Sequence, residues 1–204
     1  MVGPEGRSTA QAQPAISTID AKRVVVDKPF AIGRYEITFD DWQHCVAGGG
    51  CKGEPADDGW GRGRRPVIHV SYNDINQQYL PWLSKVTGFT YRLPTEAEWE
   101  LASQGGLQPR RGGITEAGGS VNVLVACSYG NSSDVPATVR EAIWAGVACN
   151  DDFLYTAPVG SLNPNSLGIF DMHGNVWEWV SDCWRATYDT EEAANTENCK
   201  YHVL

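Results

Sequence analysis

The stretch Gly168-Ile169-Phe170-Asp171-Met172-His173-Gly174-Asn175-Val176-Trp177-Glu178-Trp179 sets ordinary folding rules against one another. Trp177 and Trp179 alternate as strand neighbours do, which would turn both indoles to one face and bury a large aromatic area. Gly174-Asn175 is a turn signal placed directly ahead of that strand. Asp171 and Glu178 are charges that an aromatic core rejects unless something compensates them. A cation held between the two carboxylates and the turn carbonyls reconciles all of these.

The rest of the chain suits such a loop-borne site. Its 204 residues fit one domain and include 22 glycines, 11 prolines and 8 tryptophans. That composition describes loops held by short elements and aromatic anchors and excludes a bundle of long helices. The formal charge of −9 argues against nucleic-acid backbones and anionic membrane surfaces as partners. It also favours bound divalent cations. No run approaches the roughly 18 apolar residues that span a bilayer, so membrane insertion is not expected. The polar residues 1–21 are a flexible lead-in without the apolar core of a signal peptide.

The cysteines fall in local pairs: Cys45 with Cys51, Cys127 with Cys149, and Cys183 with Cys199. None forms a Cys-x-x-Cys, and no Cys/His cluster has zinc spacing. Pairing in chain order would close three loops and place the protein in an oxidising compartment, periplasmic or secreted. Free buried thiols are the alternative, and other connectivities stay open.

Residues 22–27 and 29–37 give β-branched runs broken at Pro29, which predicts two short strands. Thr38 caps a helix that stops at Gly48-Gly49-Gly50. The loop from Cys51 to Arg65 is irregular, and residues 66–70 return to a strand. Ser71 caps a second helix ending near Gly88, in which Pro81 should cost about 3 kcal/mol or force a kink. Thr95 and Glu98 form a capping box for a third helix, which runs to about Ser103 and ends at Gly105-Gly106. Beyond it, a strand over 120–126 and a short helix over 136–144 are weaker signals. Residues 156–160 end a strand before the turn at 163–166.

Several blocks, in this order, carry a resemblance: Ile32-Gly33-Arg34-Tyr35-Glu36-Ile37-Thr38, Arg65-Pro66-Val67, Tyr91-Arg92-Leu93-Pro94-Thr95-Glu96-Ala97-Glu98-Trp99-Glu100, Thr156-Ala157-Pro158-Val159-Gly160 and Asn165-Ser166-Leu167-Gly168-Ile169-Phe170-Asp171-Met172, followed by Gly174-Asn175-Val176-Trp177-Glu178-Trp179. Over residues 22–204 the chain resembles the formylglycine-generating enzyme (sulfatase-modifying factor) family. The resemblance implies an α+β domain with a C-type-lectin-like fold: short antiparallel strands, about three short helices, many loops and structural calcium. It also implies oxygen-dependent oxidation of a substrate-protein cysteine to formylglycine, with copper held by a cysteine pair. Related domains act on small molecules, in sulfur transfer to histidine betaine and in siderophore maturation. Others are binding or scaffold modules without chemistry.

The family's copper-binding cysteine pair belongs to a segment beginning Arg-Gly-Gly-Ser-Trp, which residues 1–204 do not contain. None of the six cysteines lies in that catalytic position. The expected metal ligands are therefore those of calcium. By resemblance one site takes side chains from Asp171 and Glu178 and carbonyls from Gly174 and Val176, matching calcium's preference for oxygen ligands. The alternative is a tight turn in which Glu178 accepts backbone N–H bonds. A second site by resemblance takes the Asp151 side chain and the Phe153 carbonyl. His44, His69, His173 and His202 are scattered, and Arg62, Arg64 and Arg65 belong to a solvated loop.

Overall fold

The computed structural model describes residues 25–105, 128–131, 151–184, 199 and 201–203. Helix α1 (Phe39–Ala47) opens where the Thr38 hydroxyl accepts from the Asp41 N–H and the Asp41 carboxylate accepts from the Thr38 N–H. This reciprocal box satisfies donors that a helix start leaves orphaned. The helix stops at Gly48, as expected. The following glycines have a second task. A Cβ at Gly50 would lie 2.3 Å from the Trp82 ring, so this backbone is the seat on which the indole rests.

The second helical rod begins at Ser71, whose hydroxyl caps Asp74 in the same manner. It consists of α2 (Tyr72–Asp74), a π-helical segment (Ile75–Tyr79) and α3 (Leu80–Thr87). It ends at Gly88 with φ of 79°. The π segment accounts for Pro81. The Leu80 N–H reaches back to the Ile75 carbonyl, five residues earlier, and the wide turn leaves room just ahead of a residue that has no N–H to give. Helix α4 (Glu96–Ser103) carries the Thr95–Glu98 box, and its Glu96 N–H donates to Asp182 at 2.8 Å.

The strands expected over 29–37 and 66–70 reduce, among the described residues, to a single antiparallel bridge between Thr38 and Pro66. Flanking bonds join Phe39 N to Arg65 O and Val67 N to Ile37 O. Proline and glycine on both sides prevent the ladder from extending. Residues 156–160 form no ladder either: the Ala157, Val159 and Gly160 N–H groups go to Asn175, Arg64 and Asp171. A second bridge joins Cys183 to His202. The expected elements at 1–24, 120–126 and 136–144 lie outside the described residues.

Two separate cores result. The first gathers Trp42, Cys45, Cys51 and Tyr79, with Trp82 and Leu83 against them. Trp42 and Tyr79 stack with centroids 5.7 Å apart. The second gathers Ala102, Ile169 and Met172, with Ile32 and Trp99 against them. It is this second core that carries the site.

The disulfides Cys45–Cys51 and Cys183–Cys199 form with Cα separations of 5.2 and 5.1 Å, in the expected order. Cys127 and Cys149 lie outside the described residues. Among those residues, no helix is long and apolar enough to cross a membrane.

Candidate metal centre

The turn at 171–176 is held by its neighbours more than by itself. Asn175 sits at φ of 77° and Asp171 at 61°, both in the left-handed region that side chains other than glycine rarely occupy. Such strain persists only where the surroundings fix it. Here they do. The Asn175 amide oxygen accepts from Ala157 N at 2.8 Å and from the Asn131 amide at 3.2 Å, while the Asn175 N–H donates to Asn131 O at 2.8 Å. Asn131 in turn donates to the Tyr155 carbonyl at 2.7 Å. Loops 128–131, 155–157 and 171–176 are thereby tied into one block. Its closeness makes Gly174 obligatory, because a Cβ there would lie 2.2 Å from Asn131 O.

Within this block Asp171 is 2% exposed. Its Oδ2 accepts from the Gly160 N–H at 2.7 Å, and its Oδ1 is out of solvent with no hydrogen-bond partner. Glu178 turns its Oε2 to the Trp99 indole N–H at 2.9 Å. This is a side-chain donor from α4, where the turn alternative called for backbone donors. Burial raises the pKa of both carboxyl groups above the usual carboxylate range. The donor from Gly160 holds Asp171 down in part, and that from Trp99 does the same for Glu178.

A third carboxylate, which sequence reasoning did not single out, belongs to the same block. Glu36 has both oxygens out of solvent, with the Asn175 side chain as a hydrogen-bonding neighbour. Its pKa is pushed up to about 9, first by burial and then by the charges of Asp171 and Glu178. No local signal marks it, since its neighbours in space come from the far end of the chain.

The tryptophans part company. Trp179 is half-buried and donates to the Val70 carbonyl at 3.2 Å, whereas Trp177 is 80% exposed. The expectation that both share a buried face is overturned. Residues 177–179 pair with no neighbouring strand among the described residues, so nothing imposes the alternation of a pleated sheet. Trp177 instead stands at a cleft of about 480 Å³, lined also by Glu100, Met172, His173 and Val203.

The orphaned Asp171 Oδ1, the buried Glu178 carboxyl and the carbonyls of a tight turn are hard oxygen donors, and their uncompensated negative charge fits an added cation. At the other predicted site, Asp151 is buried and its Oδ1 accepts from the Phe153 N–H at 2.9 Å. This contact engages the Phe153 N–H and leaves its carbonyl unassigned. Copper does not fit the described residues. Every cysteine among the described residues is engaged in a disulfide, so no thiolate pair is offered there.

Comparison with known proteins agrees with the block order. The family described as Sulfatase-modifying factor enzyme 1-like domain matches residues 3–204. The formylglycine-generating enzyme of Thermomonospora curvata is 36% identical over 140 residues, 66% of this chain and 39% of that protein. A bovine protein named inactive C-alpha-formylglycine-generating enzyme 2 is 34% identical over 127 residues, 59% of this chain and 34% of its own. The solved structure of PvdO from Pseudomonas aeruginosa superposes with a TM-score of 0.60 at 31% identity, over 81% of this chain and 61% of that one. The chain thus spans about two fifths or less of these two named relatives.

Proposed function

Because the chain belongs to the sulfatase-modifying factor enzyme 1-like family, we propose that it serves oxygen-dependent oxidation of a substrate cysteine to formylglycine, as the calcium-braced frame of that activity. The observation that carries this reading is the buried, unpaired Asp171 Oδ1 beside Glu178 in the turn. Asp171 and Glu178 would hold calcium with their carboxylates, Gly174 and Val176 with their carbonyls. Asp151 and Phe153 would contribute to a second site. Bound calcium supplies charge compensation and rigidity and takes no part in electron transfer.

The chain's own residues do the positioning. Trp99 fixes the Glu178 carboxyl, Gly160 fixes Asp171, and the Asn131–Asn175 amide pair holds the turn. The cleft beside Trp177 is then presented on a stiff wall. The substrate class on this reading is a cysteine-bearing protein or a small thiol compound. The C-type-lectin-like arrangement of short antiparallel strands and a periplasmic or secreted location accompany the reading. The two disulfides support that location.

A second reading is a non-catalytic, calcium-stabilised binding or scaffold module. It is favoured by the disulfide engagement of every described cysteine. One experiment separates the two. A cysteine-containing peptide is incubated with the protein, oxygen and copper, and formylglycine is scored by mass spectrometry, with thermal melting followed before and after a calcium chelator. On the first reading aldehyde forms and chelation lowers the melting point. Peptide binding without oxidation would move the assignment to the scaffold reading, and melting indifferent to chelator and to added calcium would remove calcium from both.

A further inference from the structure

Two arginines from different loops meet on one aromatic ring. The Arg34 guanidinium carbon lies 5.6 Å from the centre of the Tyr35 ring and 5.1 Å from that of Phe170, and the Arg64 guanidinium carbon lies 5.8 Å from the Tyr35 ring. Both arginines are exposed, and neither takes part in an ion pair among the described residues. The chain has 25 acidic side chains against 16 basic ones, so carboxylates to neutralise them are in ample supply. The carboxylate that follows Phe170, that of Asp171, is instead turned inward to the Gly160 N–H and buried.

Backbone contacts hold both side chains in place before any partner arrives. The Arg34 carbonyl accepts from the Phe170 N–H at 3.1 Å, and its Nε donates to Gly168 O at 3.0 Å. Arg64 is tied twice to Val159: its carbonyl accepts from the Val159 N–H at 2.9 Å, and its side chain donates to Val159 O at 3.2 Å. Tyr35 lies against Phe170 with centroids 5.0 Å apart and is seated on Gly160, where a Cβ would come within 2.6 Å of the ring. Each guanidinium spends an N–H on a carbonyl and keeps others for a ligand. Such pre-ordering lowers the entropic cost of binding. The same ties use up the N–H groups of Val159, Gly160 and Phe170. A phosphate is commonly held by backbone N–H groups together with cations. This face offers guanidinium forks without them, and such forks match planar carboxylates two hydrogen bonds at a time.

We propose that the face formed by Arg34, Tyr35 and Arg64 docks an acidic segment of a partner protein, with a carboxylate on each guanidinium and the intervening chain across Tyr35. Arginine and tyrosine are the residue types that anchor protein interfaces. None of the three lines the cleft beside Trp177, so the face is a contact outside that cleft. Docking here depends on neither calcium nor oxidation. The net charge of −9 repels an acidic partner from the rest of the molecule, which confines attachment to this face and makes it weaken with salt.

The test is a titration of a fluorescein-labelled peptide of alternating aspartate and glycine with the purified protein, followed by fluorescence anisotropy at low and high salt. A twin peptide with asparagine for aspartate is run beside it. Arg34→Gln and Arg64→Gln are compared with the unaltered protein and with Lys85→Gln, which removes the same charge from the exposed side of α3. The unaltered protein is expected to bind the aspartate peptide, less tightly at high salt, and to leave its twin unbound. Arg34→Gln and Arg64→Gln should each lose about ten-fold in affinity, as befits a lost hydrogen bond to a charged group. Lys85→Gln should keep the affinity of the unaltered protein.

Failure to bind the aspartate peptide, or equal binding of its asparagine twin, would overturn the proposal. Equal losses in all three variants would do the same, because the effect would then be one of net charge. Displacement of the peptide by inorganic phosphate at matching concentration would make the face a small-oxyanion site and overturn docking of an acidic segment. Should Arg34→Gln fail to fold by circular dichroism, Arg64→Gln decides: an affinity equal to that of the unaltered protein would overturn the proposal.

Discussion

Arg92 lays its guanidinium against Glu98 with two hydrogen bonds of 2.7 Å, and Glu98 also accepts from the Thr95 N–H at the start of α4. The Arg92 contact, followed by the backbone donor, drives the Glu98 pKa from 4.5 to about 2. A carboxyl group whose pKa is lowered by folding contributes stability above its unfolded value, and that contribution is lost as pH falls toward the folded one. Glu98→Gln should therefore cost roughly 1.5–3 kcal/mol at neutral pH. It should also flatten the decline in melting temperature between pH 4.5 and about 2. An unaltered slope in that window would show that Glu98 is not the titrating group. The caps at Thr38, Ser71 and Thr95 were legible in the sequence because their partners lie within a few residues. Glu36 and Asn131 were not, since the contacts that give them meaning cross long stretches of chain. The Asn131–Asn175 bond alone joins positions 44 apart.

Between Ser71 and Gly88 the rod shows what a sequence rule measures and what it omits. An interior proline in an α-helix removes a hydrogen bond and clashes with the preceding turn, for a cost of about 3 kcal/mol. Following a π segment, the widened turn takes up both effects. Pro81→Ala should consequently change stability by less than about 1 kcal/mol in urea unfolding, against the far larger gain expected had the proline been straining a regular helix. A gain of that larger size would show that the π segment does not accommodate the ring. The helices were readable because capping and glycine stops are local chemistry. The strands expected over 29–37 and 66–70 are not drawn as ladders among the described residues. β-Branched residues at 29–37 favour extended chain, but a ladder needs a partner edge, and Pro29, Gly33 and Pro66 limit the described pairing to one bridge. At 177–179 the alternation rule failed for the same reason: without a paired strand, Trp177 turns outward.

Across the whole molecule the two cores differ in how far the chain must travel to make them. The core around Trp42 and Tyr79 draws on residues 42–83 and carries the Cys45–Cys51 disulfide within it. The core around Ile169 and Met172 recruits Ile32 and Trp99, and its outer ties span 134 positions at Arg34–Gly168 and 79 at Trp99–Glu178. The family could be read from ordered blocks of sequence because each block keeps its own turn or cap. The loop block around Asp171 could not, because it exists only where those blocks meet. That difference has a kinetic meaning. Closing long loops costs entropy before any contact rewards it, so local structure precedes distant pairing. Native-state hydrogen exchange should find the amides of α1 better protected than those of residues 171–175 in calcium-free buffer. Equal protection would mean that both cores open as one unit. On this order of events, the Arg34–Gly168 tie joins an early segment of the described chain to a late one, and the wall around Asp171 is completed last, after the helices that support it.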